Sequence, residues 1–236
     1  MPVMGYHVVF TTYGFWLPND PRGSGSEFVG SHPLREFGPA TTVTTRRSVA
    51  SVAHDRKLRL EAKRALKFSD VRWTGRQALS VATGFRTVTK RAKCEVYACV
   101  VLPGHVHLVV GQLRYPVERL VNLLKGAATR QLIADGLHPF MNRARGEVPT
   151  IWGRGLRKVF LNSEQEIRQR IKYVEDNPLK EGKPRQRWSF VVPYPAISSV
   201  SPQARRATPS VSEKRGPSVL RRNDEVEKRN QATGSS

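Results

Sequence analysis

The stretch CEVYACVVLPGHVHLVV, residues 94–110, decides the fold. Its first half is rich in β-branched and aromatic residues, and so is its second. Leu102-Pro103-Gly104 joins the halves with turn chemistry, so the stretch reads as a β-hairpin over 94–111 with two histidines just past its turn. Side chains alternate along a strand. His105 and His107 therefore share one face, while Val106, Leu108 and Val110 take the other. One face packs and the other presents a pair of imidazole nitrogens.

Around this hairpin the chain has 236 residues, 39% of them hydrophobic, enough for one sizeable domain with extensions. The formal charge is +21. Residues 196–236 hold eight Lys and Arg against four acids, so the tail supplies only four of those charges and residues 1–195 are themselves basic. A polyanionic partner follows, nucleic acid before membrane. Cys94 and Cys99 are the only cysteines, and their odd spacing within a strand sends them to opposite faces, against a mutual disulfide. The N-terminus lacks a leader pattern and no apolar run is long enough to span a bilayer, which points to a cytoplasmic protein with no membrane partner.

Upstream, GYHVVFTTYGFWL (5–17) opens with a strand over 6–12 and then breaks into a Pro-, Gly- and Ser-rich stretch, so 19–53 reads as a long loop or insertion. Helical texture follows over 54–68 and 75–90. Downstream, Val117, Leu120, Val121, Leu124, Ala128 and Leu132 recur at helical spacing between Pro116 and Asp135, with Gly136 suited to the C-terminal cap and Arg119, Lys125 and Arg130 on the other side. LRKVFL (156–161) reads as a short strand. Ser163 and Glu166 form a capping box that starts a helix ending near Asp176, ahead of Pro178. RWSFVV (187–192) has the composition of one more strand. The domain ends at 195, and 196–236 reads as a basic disordered tail.

Within the last helix Ile167, Ile171 and Val174 form the packing stripe, and Glu166, Arg170, Tyr173 and Asn177 gather on a separate polar flank. Tyr173 and Asn177, four apart, are neighbours. A histidine pair, a polar oxygen and a tyrosine suit the cutting of a phosphodiester. A divalent cation on His105, His107 and a third ligand would polarise the phosphate, and a phenol would serve as nucleophile, leaving a covalent phosphotyrosine that keeps bond energy for rejoining. Isolated histidines at 7, 32, 54 and 138 read as structural, as do Tyr6, Tyr13, Tyr97, Tyr115 and Tyr194. Lys125 and Arg130 suit phosphate contacts. WGRG (152–155) places Trp152 beside Arg154 for stacking on unpaired bases, with Arg157 and Lys158 following.

HVH is a His-hydrophobe-His motif. With IKYVEDNPLKEG, TTYGFWLPNDPRG and LKGAATRQL it resembles the single-tyrosine HUH transposases (insertion sequence 200-like), especially the REP-associated tyrosine transposases, in that family's order over residues 5–192. Leu102-Pro103-Gly104 departs from the Met-Pro-Asn often found ahead of the histidine pair in relatives. The resemblance implies an α+β fold: a ferredoxin-like or RRM-like antiparallel sheet with helices packed on one face and the tyrosine helix near the C-terminal end. It implies His105, His107 and Asn177 as ligands of Mg²⁺ or Mn²⁺, Tyr173 as nucleophile, and single-stranded DNA with hairpin or palindromic elements as substrate, handled by a monomer or homodimer. Two other readings compete: a non-catalytic RRM-like nucleic-acid-binding module, and a relaxase or replication-initiator nuclease.

Overall fold

A computed structural model describes residues 2–20, 29, 31–40, 54–143 and 148–195. Most of the long loop of 19–53 and all of the tail of 196–236 lie outside the described residues. The elements are β1 (Gly5–Thr11), α1 (Arg56–Arg64), α2 (Gly75–Ala92), β2 (Val96–Val101), β3 (His105–Gly111), α3 (Val117–Ala134), β4 (Arg157–Leu161) and α4 (Glu164–Lys180), with short 3₁₀ turns at His32–Phe37 and Met141–Arg143.

The hairpin is present as β2 and β3, and β1 pairs with the other edge of β3. All pairings are antiparallel and the sheet order is β2-β3-β1-β4. His7 faces Val109 and Val9 faces His107 across β1 and β3, while Val9 also faces Arg157 on β4. Alternation then sorts the side chains. Val8, Phe10, Val106, Leu108 and Val110 join α2 and α3 in the main core, whose largest fully buried members include Phe10, Phe85, Leu108, Leu120 and Leu124. Close approach of α2 to α3 depends on Gly84, where a Cβ would stand 2.7 Å from Ala128 Cα.

The expected one-face arrangement of helices holds for α2 and α3 only. α4 packs on the other face of the sheet, against Tyr97, Ala98, Val100, Val109 and Leu161, through Ile167, Ile171 and Val174. That face carries His7, Val9 and Thr11 of β1 with His105 and His107 of β3.

The local start and stop signals are mostly as read. Gly136 takes a positive φ of 66° after α3, and the Leu137 N–H bonds back to Leu132 O at 2.8 Å. Thr74 and Gln77 form a reciprocal capping box on α2. At α4, Ser163 accepts from the Glu166 N–H, but the Glu166 carboxylate reaches one residue further back, to the Asn162 N–H. α4 also runs through Pro178 to Lys180 instead of stopping near Asp176. Proline in the last turn forfeits one backbone bond, and the Pro178 carbonyl recovers two, from Glu181 and Lys183, while its ring is buried.

RWSFVV forms no strand. It makes one parallel bridge, Val191 to Val96, and Gln186 bonds both the N–H and the carbonyl of Val101, so this segment closes both ends of the β2 edge. Cys94 and Cys99 are free thiols. A register irregularity between Val96 and Ala98 resets the alternation, so both cysteines lie against the same core cluster rather than on opposite faces. Among the described residues no helix is long and apolar enough to cross a membrane.

Candidate active site

The α4 face of the sheet gathers four aromatic rings. His105 and His107 stand 4.9 Å apart between ring centroids on the same side of β3, as their spacing predicts. Tyr173 comes down from α4 and sets its ring edge-on to His107 at 5.8 Å. The fourth ring is His7, expected to be structural and found in the middle of the site. Its ring stacks on His107 with 5.3 Å between centroids and 9° between planes, and it meets the same Tyr173 ring at 5.8 Å. His7 Nε2 and His107 Nδ1 share a hydrogen bond of 3.1 Å, one nitrogen donating and the other accepting.

Both histidines of this pair are buried, at 5% and 6% exposure. Burial, reinforced by the Arg170 and Arg157 charges, brings the His7 pKa down to about 3. Burial also holds His107 well below its ordinary value, with His105, His7, Lys180 and Arg157 adding to the effect. Both rings are therefore neutral near pH 7, the form in which imidazole ligates a metal. The bond to His7 occupies His107 Nδ1 and leaves Nε2 as its ligating atom. Among the described residues no group of three or more His, Cys, Asp and Glu side chains is placed to hold an ion. A cation here would rest on His105 and His107 with oxygen from elsewhere, and imidazole nitrogens fit that role. Asn177 stands half-buried, one helical turn beyond Tyr173.

Positive charge surrounds the phenol. The Lys180 ammonium lies 4.5 Å from the Tyr173 ring centroid and the Arg170 guanidinium 5.9 Å from it. Lys180 escapes a reading that stops the helix at Asp176; continuation through Pro178 puts it seven residues after Tyr173, two turns along the same side. His7 is hidden for a different reason. Its distance from His107 is set by the pairing of β1 with β3, which no local pattern states. The only signal was that β1, like β3, carries a histidine within an apolar alternation.

The basic residues expected to contact nucleic acid divide. Trp152 is a correction: it is 6% exposed, packs edge-on against Trp73 and tilted against Phe10, and spends its indole N–H on Lys125 O and Thr129 Oγ1, so no ring face is left for a base. Lys125 is a second correction. Its ammonium donates to the carbonyls of Gly153 and Gly155, and burial lowers its pKa to about 8. It pins the WGRG loop. Lys158 lies on the α3 face, ion-paired with Glu118. Arg130 and Arg154 are exposed. Arg157 is half-buried on the histidine side of β4, in line with Val9 and His107.

No family model matches the sequence, and no curated protein matches it. Among solved structures the chain is similar to a REP-associated tyrosine transposase bound to a REP hairpin, at 14% identity and a TM-score of 0.40 over 77% of this chain and 70% of that one. It is also similar to a "putative transposase" from Deinococcus radiodurans R1, at 15% identity and a TM-score of 0.34 over 75% of this chain and 92% of that one.

Proposed function

We propose that this chain is a transposase-type single-strand DNA endonuclease and strand transferase whose nucleophile is Tyr173. The observation that carries the reading is the convergence of Tyr173, His105 and His107 of one chain at one place on a basic domain. The resemblance of HVH and IKYVEDNPLKEG to the single-tyrosine HUH transposases supplies the reaction and the hairpin-bearing substrate.

In this reading the Tyr173 oxygen attacks phosphorus as the phenolic proton leaves. One P–O ester bond forms and one breaks, and the departing strand end takes up a proton as a free hydroxyl. Ester is exchanged for ester, so the step reverses with another strand's hydroxyl and needs no nucleotide triphosphate. Arg170, Lys180 and Arg157 meet the negative charge that builds on the phosphate. Mg²⁺ or Mn²⁺, when bound, would polarise the phosphate, and His105, His107 and Asn177 would hold it. His7 is a positioning residue: its bond to His107 Nδ1 fixes the ring plane and reserves Nε2. Arg130 and Arg154 guide the rest of the strand.

The test is incubation of the protein with labelled single-stranded DNA carrying hairpins from its own genomic surroundings, in Mn²⁺. An SDS-resistant protein–DNA adduct that vanishes in Tyr173→Phe is expected. DNA binding without any adduct across such substrates would leave a binding module and end the enzymatic reading.

A further inference from the structure

We propose that the recess beside Phe15 is the subsite for one unpaired nucleobase of the strand being cut. The inference rests on the DNA-cleaving reading of Tyr173 and the histidine pair. Just after β1, Thr12 is anchored by its hydroxyl, which donates to the carbonyls of Val71 at 2.7 Å and Gly104 at 3.0 Å. Gly14 then turns the chain with a φ of +76°. This throws Phe15 across the hairpin turn. A Cβ on Gly104 would lie 2.2 Å from the Phe15 ring, so glycine at 104 is what lets the ring settle there, 4.9 Å from the His105 ring. Trp16 stands beside Phe15 at 6.3 Å, and both rings are half-exposed.

Phe15 also lines a cavity of about 150 Å³. Its polar wall is made of Asp20, Arg59, Lys63, Asp70 and Arg72. Asp20 is fully buried and faces Arg59 at 3.7 Å, and Lys63 pairs with Asp70 at 2.8 Å. Donors and acceptors are thus held in fixed places beside an aromatic wall. Arg72 differs from them: it is exposed and has no ion pair among the described residues. An aromatic wall, a rim of charged donors and acceptors, and an exposed guanidinium match a nucleobase with its attached phosphate. Phe15 is shared between His105 and the cavity. A strand whose phosphate lies at the histidines brings its neighbouring nucleotide onto that ring.

The test uses the full chain in EDTA, so that no bond is cut, with hairpin oligonucleotides carrying 2-aminopurine at successive unpaired positions. Stacking should quench one position far more than its neighbours. Phe15→Leu keeps an apolar side chain over Gly104 and against His105 but removes the aromatic face. It should restore fluorescence at that position and weaken binding roughly five- to a hundredfold. Arg72→Ala should lower the salt dependence of binding by about one phosphate contact. Phe15→Met is the second variant should Phe15→Leu fold poorly, and it should relieve the same position. Quenching that is uniform along the strand, or that survives these substitutions with affinity unchanged, overturns the subsite even where the adduct forms in Mn²⁺. Position-specific quenching lost in Phe15→Leu supports it even where no adduct forms, and then only the cleavage reading falls.

Discussion

The two faces of this sheet are built from the same strands and follow opposite rules. Toward α2 and α3 the strands send Val8, Phe10, Val106, Leu108 and Val110 into an apolar core. Toward α4 they send His7, Thr11, His105 and His107, and the apolar contacts shrink to a smaller cluster around Val109, Leu161, Ile167 and Val174. Val9, between His107 of β3 and Arg157 of β4, is only half-buried. The first face supplies the burial that holds the fold together. The second uses that stability to keep two imidazoles neutral and a phenol beside them, an arrangement that a self-sufficient core would not select.

The largest effect that separates the faces is expected from Tyr173→Phe. The phenol oxygen is lost and nothing packs differently, so adduct formation should fall by about a thousandfold or more, while unfolding in denaturant shifts by less than about 0.5 kcal/mol. The matching change on the other face is Phe10→Ala. This ring is fully buried against Phe85 and Trp152, and its removal should cost about 3–5 kcal/mol of stability. A Tyr173→Phe protein that unfolds as easily as Phe10→Ala would erase the distinction.

What the sequence made legible follows the same division. The apolar stripe of α3, the hairpin and the shared side of His105 and His107 are periodic signals, each carried by residues close in the chain, and all appear in the fold. So does the approach of Tyr173, which the resemblance supplied and periodicity alone did not. The misreadings came from contacts between distant segments. His7 enters the site because β1 is the central strand beside β3. Trp152 and Lys125 look like a nucleic-acid motif in sequence, yet α3 passes close enough to the 152–155 loop to accept the indole N–H and to donate from Lys125 to the loop carbonyls of Gly153 and Gly155. Lys180 was missed because proline is a poor helix interior residue in general, and here sits in a final turn whose carbonyl finds other donors.

A smaller effect, in acid, sharpens the contrast. His7 keeps a pKa of about 3 in the folded protein against 6.5 ordinarily. Between those values the unfolded chain takes up a proton that the folded chain refuses, so stability is full above pH 6.5 and drains away as pH falls toward 3. His107 acts in the same direction. His7→Gln removes one titrating ring and keeps a side chain able to bond His107 Nδ1. Thermal melts of this variant should lose less stability than wild type between pH 6.5 and 4, while Mn²⁺ affinity measured by calorimetry falls by less than in His7→Phe, which cannot make the bond. Equal acid sensitivity in wild type and His7→Gln would mean that His7 is not buried neutral.

The smallest effect tests the loop that the α3 lysine holds. Lys125 has a pKa of about 8 in the folded protein against 10.5 ordinarily, because burial opposes its charge. Between pH 8 and 10.5 the unfolded chain therefore holds more protons, and the wild-type protein should gain stability relative to Lys125→Met as pH rises through that window; other lysines titrate in both proteins and cancel in the difference. Below pH 8 the two curves should run parallel. The substitution also removes the donors to Gly153 and Gly155, so the amide of Gly153, bonded to Thr11 O at 2.8 Å beside the partner strand of His105, should exchange hydrogen faster in the variant. Lys125 thereby links the faces: it lies 5.6 Å from the Phe10 ring of the main core and fastens a loop whose Gly153 leaves no room for a Cβ beside the Thr11 hydroxyl, 2.5 Å away on the histidine face. If Lys125 instead met phosphate, Lys125→Met would weaken DNA binding and flatten its salt dependence, with exchange at Gly153 unchanged.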